Sequence, residues 1–308
     1  MLKIGIQSET VMSQLGAERG CELFREAGFE VIDWNINDEI PIKRFMEGER
    51  SGISIFEKPL PEIMDYFKDT LRCFEKNGLQ ITQMHGPFPA WREDCPELLD
   101  YVIATTIQCI RLCDAIGCPY IVVHGVSLKK NWENTTYEQI REINRKLYTS
   151  LIPVLRETNV TVCLENLFST YKKEVYEGIC NNPYEAIEWI DSLNAEVGKE
   201  CFGLCFDTGH LHLMRGDMHA YLLKLGKRIK ALHIHDNCGS SDDHRAPYTG
   251  TIIWEDLCTT LAEIGYTGEL NFETVLQTKI GIIPEELVLP WLRLIHDTGV
   301  YFKQKIQG

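Results

Sequence analysis

Nine residues of metal-binding type recur at comparable places along the chain: His85, His124, Glu165, Asp207, His210, His235, Asp242, His244 and Glu273. His85, His124, Glu165, Asp207, His235 and Glu273 each stand at the carboxyl end of a short apolar run, His210 follows Asp207 by three residues, and Asp242 and His244 share one loop. Imidazoles and carboxylates crowded together repel or resist desolvation unless something pairs them, and a divalent cation does that. Nitrogen and oxygen donors without thiolate suit Zn²⁺ or Mn²⁺ better than a cysteine-type structural zinc. Lys129, Lys130 and Arg245 are the basic residues near these strand ends, all in loops, so ion pairing with Lys or Arg does not account for the set. His212, His219, His233 and His296 are expected to be structural, because a lone His is more often hydrogen-bonded than ligating.

The runs that carry these residues read as strands: 3–8, 30–35, 80–85, 120–124, 160–165, 202–207, 230–235 and 269–273. Side chains alternate across a strand, so parity separates two faces. Val160, Val162 and Leu164 oppose Thr161, Cys163 and Glu165, and Phe202, Leu204 and Phe206 oppose Gly203, Cys205 and Asp207. Leu232 and Ile234 oppose Ala231, His233 and His235, while Leu270 and Phe272 oppose Glu269, Asn271 and Glu273. The bulky set belongs under helices, and the small or polar set points inward and ends each time in a ligand.

Helical patterns fill the intervals. Leu99, Val102, Thr106, Cys109, Cys113 and Ile116 share a face that Gly117 closes, and Trp254, Leu257, Leu261 and Ile264 form another stripe ended by Gly265. Asn182, Pro183 and Glu185 supply an N-cap, a first-turn proline and a capping-box acid. Residues 137–157 read as one helix kinked at Pro153, and residues 37–60 as a long loop. Eight strand-plus-helix units predict an α/β fold, a single (β/α)₈ TIM barrel spanning residues 1–308. No G-x-G-x-x-G follows the first strand and no Walker loop occurs, which disfavours a doubly wound open sheet.

Composition bounds the function. Hydrophobic residues make up 44% of the 308 and charged residues 25%, ordinary for a globule with a large core. The net charge of −14, with no basic stripe, makes nucleic acid a poor partner. The start MLKIGIQSET has no signal-peptide pattern, and the 12 cysteines never form C-x-x-C, so a cytoplasmic protein with reduced, mostly buried thiols is expected, without a membrane partner.

With these residues in view, the sequence resembles the xylose-isomerase-like barrel superfamily, which joins sugar isomerases and epimerases with endonuclease IV. The segments that carry the resemblance are MHGPFP (84–89), VVHG (122–125), LEN (164–166), CFDTGH (205–210), HIHDN (233–237), DDH (242–244) and NFET (271–274). In ketose 3-epimerase-like members the matching Glu165, Asp207, His235 and Glu273 hold one divalent metal, and the two glutamates move a proton on and off carbon. Endonuclease IV-like members hold three zincs on positions matching all nine residues and cleave abasic DNA. Against that alternative, NLFSTYKKE after Glu165 lacks the nucleases' glycine-rich stretch, and the acidic charge suits duplex binding poorly.

The resemblance therefore implies a metal-dependent sugar or sugar phosphate isomerase or epimerase. Its partner is a small-molecule sugar, and a homo-oligomer is compatible with it. Glu165 and Glu273 would be catalytic, with His210, Arg245 and Trp91 binding substrate. Ketose epimerases carry an arginine six residues after the strand-seven histidine; that position is Ser241 here, and Arg245 is the candidate substitute. Trp34 is a second aromatic near a strand end that can stack on a sugar or fill the core, and Lys129 and Lys130 can meet a phosphate.

Overall fold

The computed structural model describes residues 2–308. In chain order the elements are β1 (Ile4–Gln7), α1 (Glu9–Ala27), β2 (Val31–Asn35), α2 (Ile42–Met46), α3 (Leu60–Lys76), β3 (Gln80–His85), α4 (Leu98–Ile116), β4 (Tyr120–Val123), α5 (Tyr137–Ser150), α6 (Ile152–Glu157) and β5 (Thr161–Glu165). They continue with β6 (Phe168–Tyr171), β7 (Glu174–Glu177), α7 (Pro183–Val197), β8 (Phe202–Asp207), α8 (Thr208–Leu213), α9 (Met218–Leu225), β9 (Ile229–His233), α10 (Trp254–Glu263), β10 (Leu270–Phe272) and α11 (Val288–Gln307).

Eight of the ten strands form one sheet in the order β10-β1-β2-β3-β4-β5-β8-β9. Its ladders are parallel, with Gly5 of β1 opposite both Asn271 and Val31. A parallel bridge between Ile234 and Phe272 joins the two ends of that order. There the Ile234 N–H donates to the Asn271 carbonyl (2.9 Å) and the Glu273 N–H to the Ile234 carbonyl (3.1 Å). A parallel sheet joined end to end, with helices in its crossovers, is the (β/α)₈ barrel that the alternation predicts. All eight predicted runs are strands, differing by a residue or two at their ends. No helix among the described residues is long and apolar enough to cross a membrane.

The chain divides into two compact units, one of residues 1–34, 69–82 and 205–308, the other of residues 35–68 and 83–204. In the first, the bulky strand residues meet helices as parity requires: Phe206 lies 5.5 Å from Tyr221 of α9 and Phe272 lies 6.1 Å from Phe302 of α11. Trp34 packs edge-on against Phe74 of α3 and is buried, so of its two open readings it takes the core one. In the second, Tyr148 of α5 meets Trp189 of α7 and Phe202 of β8.

Four local features differ from the sequence reading. Residues 37–60 are not one loop, since they hold single 3₁₀ turns at 37–39 and 55–57 and the short α2. Ser54 and Glu57 form a capping box there, but one turn is too short to show a helical period. Residues 137–157 form two helices rather than one kinked helix, broken at Leu151, with Pro153 in the first turn of the second, where its missing N–H costs nothing. Asn182 caps α7 through the Tyr184 N–H, whereas Glu185 accepts from the Cys180 N–H (3.0 Å) and so is not the reciprocal half of a capping box. Finally, the segment after Glu165 folds into an antiparallel hairpin, β6–β7, whose turn residues Lys172 and Lys173 both have positive φ.

Candidate metal centre

In the second unit, three candidate ligands meet because β3, β4 and β5 are neighbours in register. His85 ends β3, His124 follows β4 and Glu165 ends β5. His124 Nε2 lies 2.6 Å from Glu165 Oε2 and 3.1 Å from His85 Nε2. The His85 Nδ1 faces the Gly86 carbonyl at 2.8 Å, so its proton is engaged there and the Nε2 lone pair is turned to the cluster. Holding one ring nitrogen on a carbonyl fixes a metal-binding imidazole in this way. His85 and Glu165 are buried and His124 is half-buried, a dry setting for three groups that share a centre.

In the first unit five of the remaining six form two overlapping groups, Asp207 with His210 and His235, and His235 with His244 and Glu273, and Asp242 lies beside both. Asp207 ends β8 and caps α8, its Oδ1 accepting from the His210 N–H (2.6 Å) while Oδ2 lies 2.9 Å from His235 Nε2. Asp242 Oδ2 lies 2.9 Å from His244 Nε2 and 3.4 Å from His210 Nε2. The His244 ring stacks on His235 at 4.1 Å, and its Nδ1 is 3.7 Å from Glu273 Oε2.

The electrostatics follow from this crowding. Burial favours a neutral Asp242, but hydrogen bonding and charge from His210, then His244 and His235, hold its carboxyl well below the usual range. Burial likewise lowers the His244 imidazole, yet the negative Glu273, Asp242 and Asp207 outweigh it and push it up to about 10. The donor set fits a cation by a second observation. His235 Nδ1 and Asp242 Oδ1 are buried without a hydrogen-bond partner among the described residues. Groups left so are costly unless something coordinates them.

The short motifs owe much to residues that are not ligands. A Cβ at Gly209 would fall 2.0 Å from His235 Cε1, so only glycine lets that ring lie against α8. Thr208 Oγ1 donates to the His235 carbonyl (2.7 Å), and the Asn237 amide donates to the Gly209 carbonyl (2.9 Å). Asp236, fully buried, accepts four bonds: from the N–H groups of Asn237 (2.9 Å), Gly250 (3.0 Å) and Ile252 (3.1 Å), and from Trp254 Nε1 (3.2 Å). An antiparallel bridge between Asp236 and Arg245 closes the same loop, and His244 stands next to it. Sequence alone does not mark Thr208 and Gly209 by type, and Asp236 has the parity of the outward residues Leu232 and Ile234. Their signal is adjacency to ligands inside CFDTGH and HIHDN.

The other expected contact residues are engaged. Arg245 Nε pairs with Asp243 Oδ2 (2.9 Å) in the ligand-bearing loop. Trp91 is nearly buried, edge-on to Trp132 at 5.1 Å. Lys129 lies over Trp132, while Lys130 lies over Tyr176 and pairs with Glu174. His212 and His219 bond to Thr251 and Thr260 and His296 packs on Phe29, as structural histidines do. His233, in contrast, is buried between Asp33 and Glu273.

The chain is similar in sequence and in fold to known proteins. It is 23% identical over 260 residues to the D-psicose 3-epimerase of Ruminiclostridium cellulolyticum, covering 78% of this chain and 80% of that one. The structure of D-psicose 3-epimerase with D-tagatose from Clostridium cellulolyticum H10 shares its fold, with a TM-score of 0.71 at 16% identity over 98% and 99% of the two chains. So does the structure of the IOLI protein with a bound zinc atom, with a TM-score of 0.68 at 18% identity over 97% and 96%. The family model described as xylose isomerase-like TIM barrel matches residues 22–293, and the chain belongs to that family.

Proposed function

We propose that the protein is a metal-dependent isomerase or epimerase of a small sugar or sugar phosphate, working by proton transfer beside a carbonyl. The observation that carries this reading is the clustering of buried imidazoles and carboxylates at strand ends within each unit, in a family whose relatives include sugar epimerases. Glu165 and Asp207, which end β5 and β8, and His235 and Glu273, which follow β9 and β10, would hold the cation. When bound, a divalent ion supplies Lewis-acid stabilisation of negative charge developing on substrate oxygen.

The chain's own groups then divide the work. One of Glu165 and Glu273 takes the proton from the carbon beside the carbonyl, and the electron pair of that C–H bond moves into an enediolate. The other returns a proton to the opposite face in epimerisation, or to the neighbouring carbon in aldose–ketose isomerisation. His210 and Arg245 are the candidates for gripping substrate hydroxyls, and Trp91 for covering a sugar face.

The test combines isotope and substitution. With D-psicose and related ketoses in D₂O, the wild-type protein should place solvent deuterium on the converted carbon. Glu165→Gln and Glu273→Gln keep side-chain length and one oxygen; each should lose about 100-fold or more in turnover while retaining metal. Conversion without deuterium uptake, or normal turnover in both variants, overturns the two-glutamate mechanism in favour of a hydride shift.

A further inference from the structure

We infer that Asp33 and His233 form a buried pair whose task is to hold the Glu273 carboxylate, which makes His233 a positioning residue of the reaction proposed above, on which this inference rests. His233 precedes His235 by two residues on β9, so it shares the inward row one layer deeper. Both Asp33 and His233 are fully buried. His233 Nε2 lies 3.1 Å from Asp33 Oδ2, and its Nδ1 lies 3.3 Å from Glu273 Oε2. Asp207 Oδ2 is farther from that nitrogen, at 4.0 Å. The other Glu273 oxygen, Oε1, takes the Gln7 amide at 3.4 Å.

Ionised carboxylates only accept hydrogen bonds, so the ring is aligned by Asp33 at one nitrogen and presents the other to Glu273. A buried imidazole–carboxylate pair is expensive to desolvate, and apolar residues of similar volume pack a core at least as well. The neighbouring inward positions Gly5, Ala231 and Cys205 are of that cheaper kind. A polar pair among them is explained by what it orients, as the outer partners of metal-site ligands are.

Two substitutions separate holding Glu273 from filling space. An asparagine amide nitrogen lies where Nδ1 lies in histidine, and a glutamine amide nitrogen lies where Nε2 lies. His233→Asn therefore keeps a donor toward Glu273, whereas His233→Gln keeps only the contact to Asp33. The full chain is assayed for turnover of its best ketose and titrated with Mn²⁺. His233→Gln should lose about 10- to 100-fold in kcat with KM little changed, and bind Mn²⁺ more weakly by a similar factor. His233→Asn should lose much less of both, although the two melt at similar temperatures. If the wild type moves no sugar proton, the proposed function fails and the Mn²⁺ series alone decides this inference. Equal losses in the two variants, in turnover and in Mn²⁺ affinity, overturn it.

Discussion

The nine candidate ligands differ in what fixes them. His85 is committed by its Nδ1 contact to the Gly86 carbonyl, while His235 Nδ1 and Asp242 Oδ1 have no hydrogen-bond partner among the described residues. A donor set of that kind should be occupied when metal is available, so elemental analysis of protein purified without chelator should find about one or more divalent equivalents. Stripping the metal should lower the melting temperature, since ligand that binds only the folded state stabilises it. A fully active protein without metal would remove the basis of the mechanism. Four of the nine, Glu165, Asp207, His235 and Glu273, stood out from strand parity, because each ends a row of small or polar residues opposite a bulky apolar row. His233 was legible as an inward residue but not as part of the site. Its meaning depends on Asp33, 200 residues away, and on Glu273, which no local pattern connects to it.

At the scale of elements, Glu185 offers a test of how α7 begins. Burial raises its carboxyl pKa, and the bonds it accepts from the Cys180 N–H and the Tyr137 hydroxyl only partly offset that. A carboxyl whose folded-state pKa is raised holds its proton more tightly folded than unfolded. Its contribution therefore favours the native state at low pH and is lost as pH rises through the folded value. Glu185→Gln keeps an acceptor and removes the titration, so its stability relative to wild type should increase between about pH 4 and pH 7, read from urea midpoints. A flat or falling difference would mean that Glu185 is not destabilised by ionisation. The helices α4 and α10 were legible from their apolar stripes, and α7 from its Asn182 cap and first-turn Pro183. The β6–β7 hairpin was not, since Lys172 and Lys173 occupy positive φ where Asn and Gly give the usual turn signal.

For the molecule as a whole, charge is the most direct guide to what it meets. With 45 acidic against 31 basic residues, its long-range field repels polyphosphate. We expect no incision of abasic duplex DNA at physiological salt, even with zinc supplied, in a gel assay sensitive to single nicks. Robust metal-dependent incision would instead promote the trinuclear nuclease reading. The barrel itself was legible because eight apolar runs with matching parity leave little room for another topology. Its division into two compact units was not, because no linker marks where residues 35–68 and 83–204 separate from the rest.

The clasp formed by Asp236 with Asn237, Gly250, Ile252 and Trp254 has a consequence for diversification. It pins both ends of the loop after β9, and the bridge to Arg245 fixes the approach to His244. Cys238, Gly239, Ser240 and Ser241 lie between these anchors and carry none of the clasp's bonds, though the Gly239 N–H donates to Asn237 Oδ1 and the Ser241 hydroxyl to Asp243 Oδ1. That tetrapeptide is a cassette. Its Cys238 and Ser240 side chains can be exchanged by directed evolution to retune which substrate is accepted without moving the clasp, whereas an arginine at Ser241 also frees Asp243, the partner of Arg245.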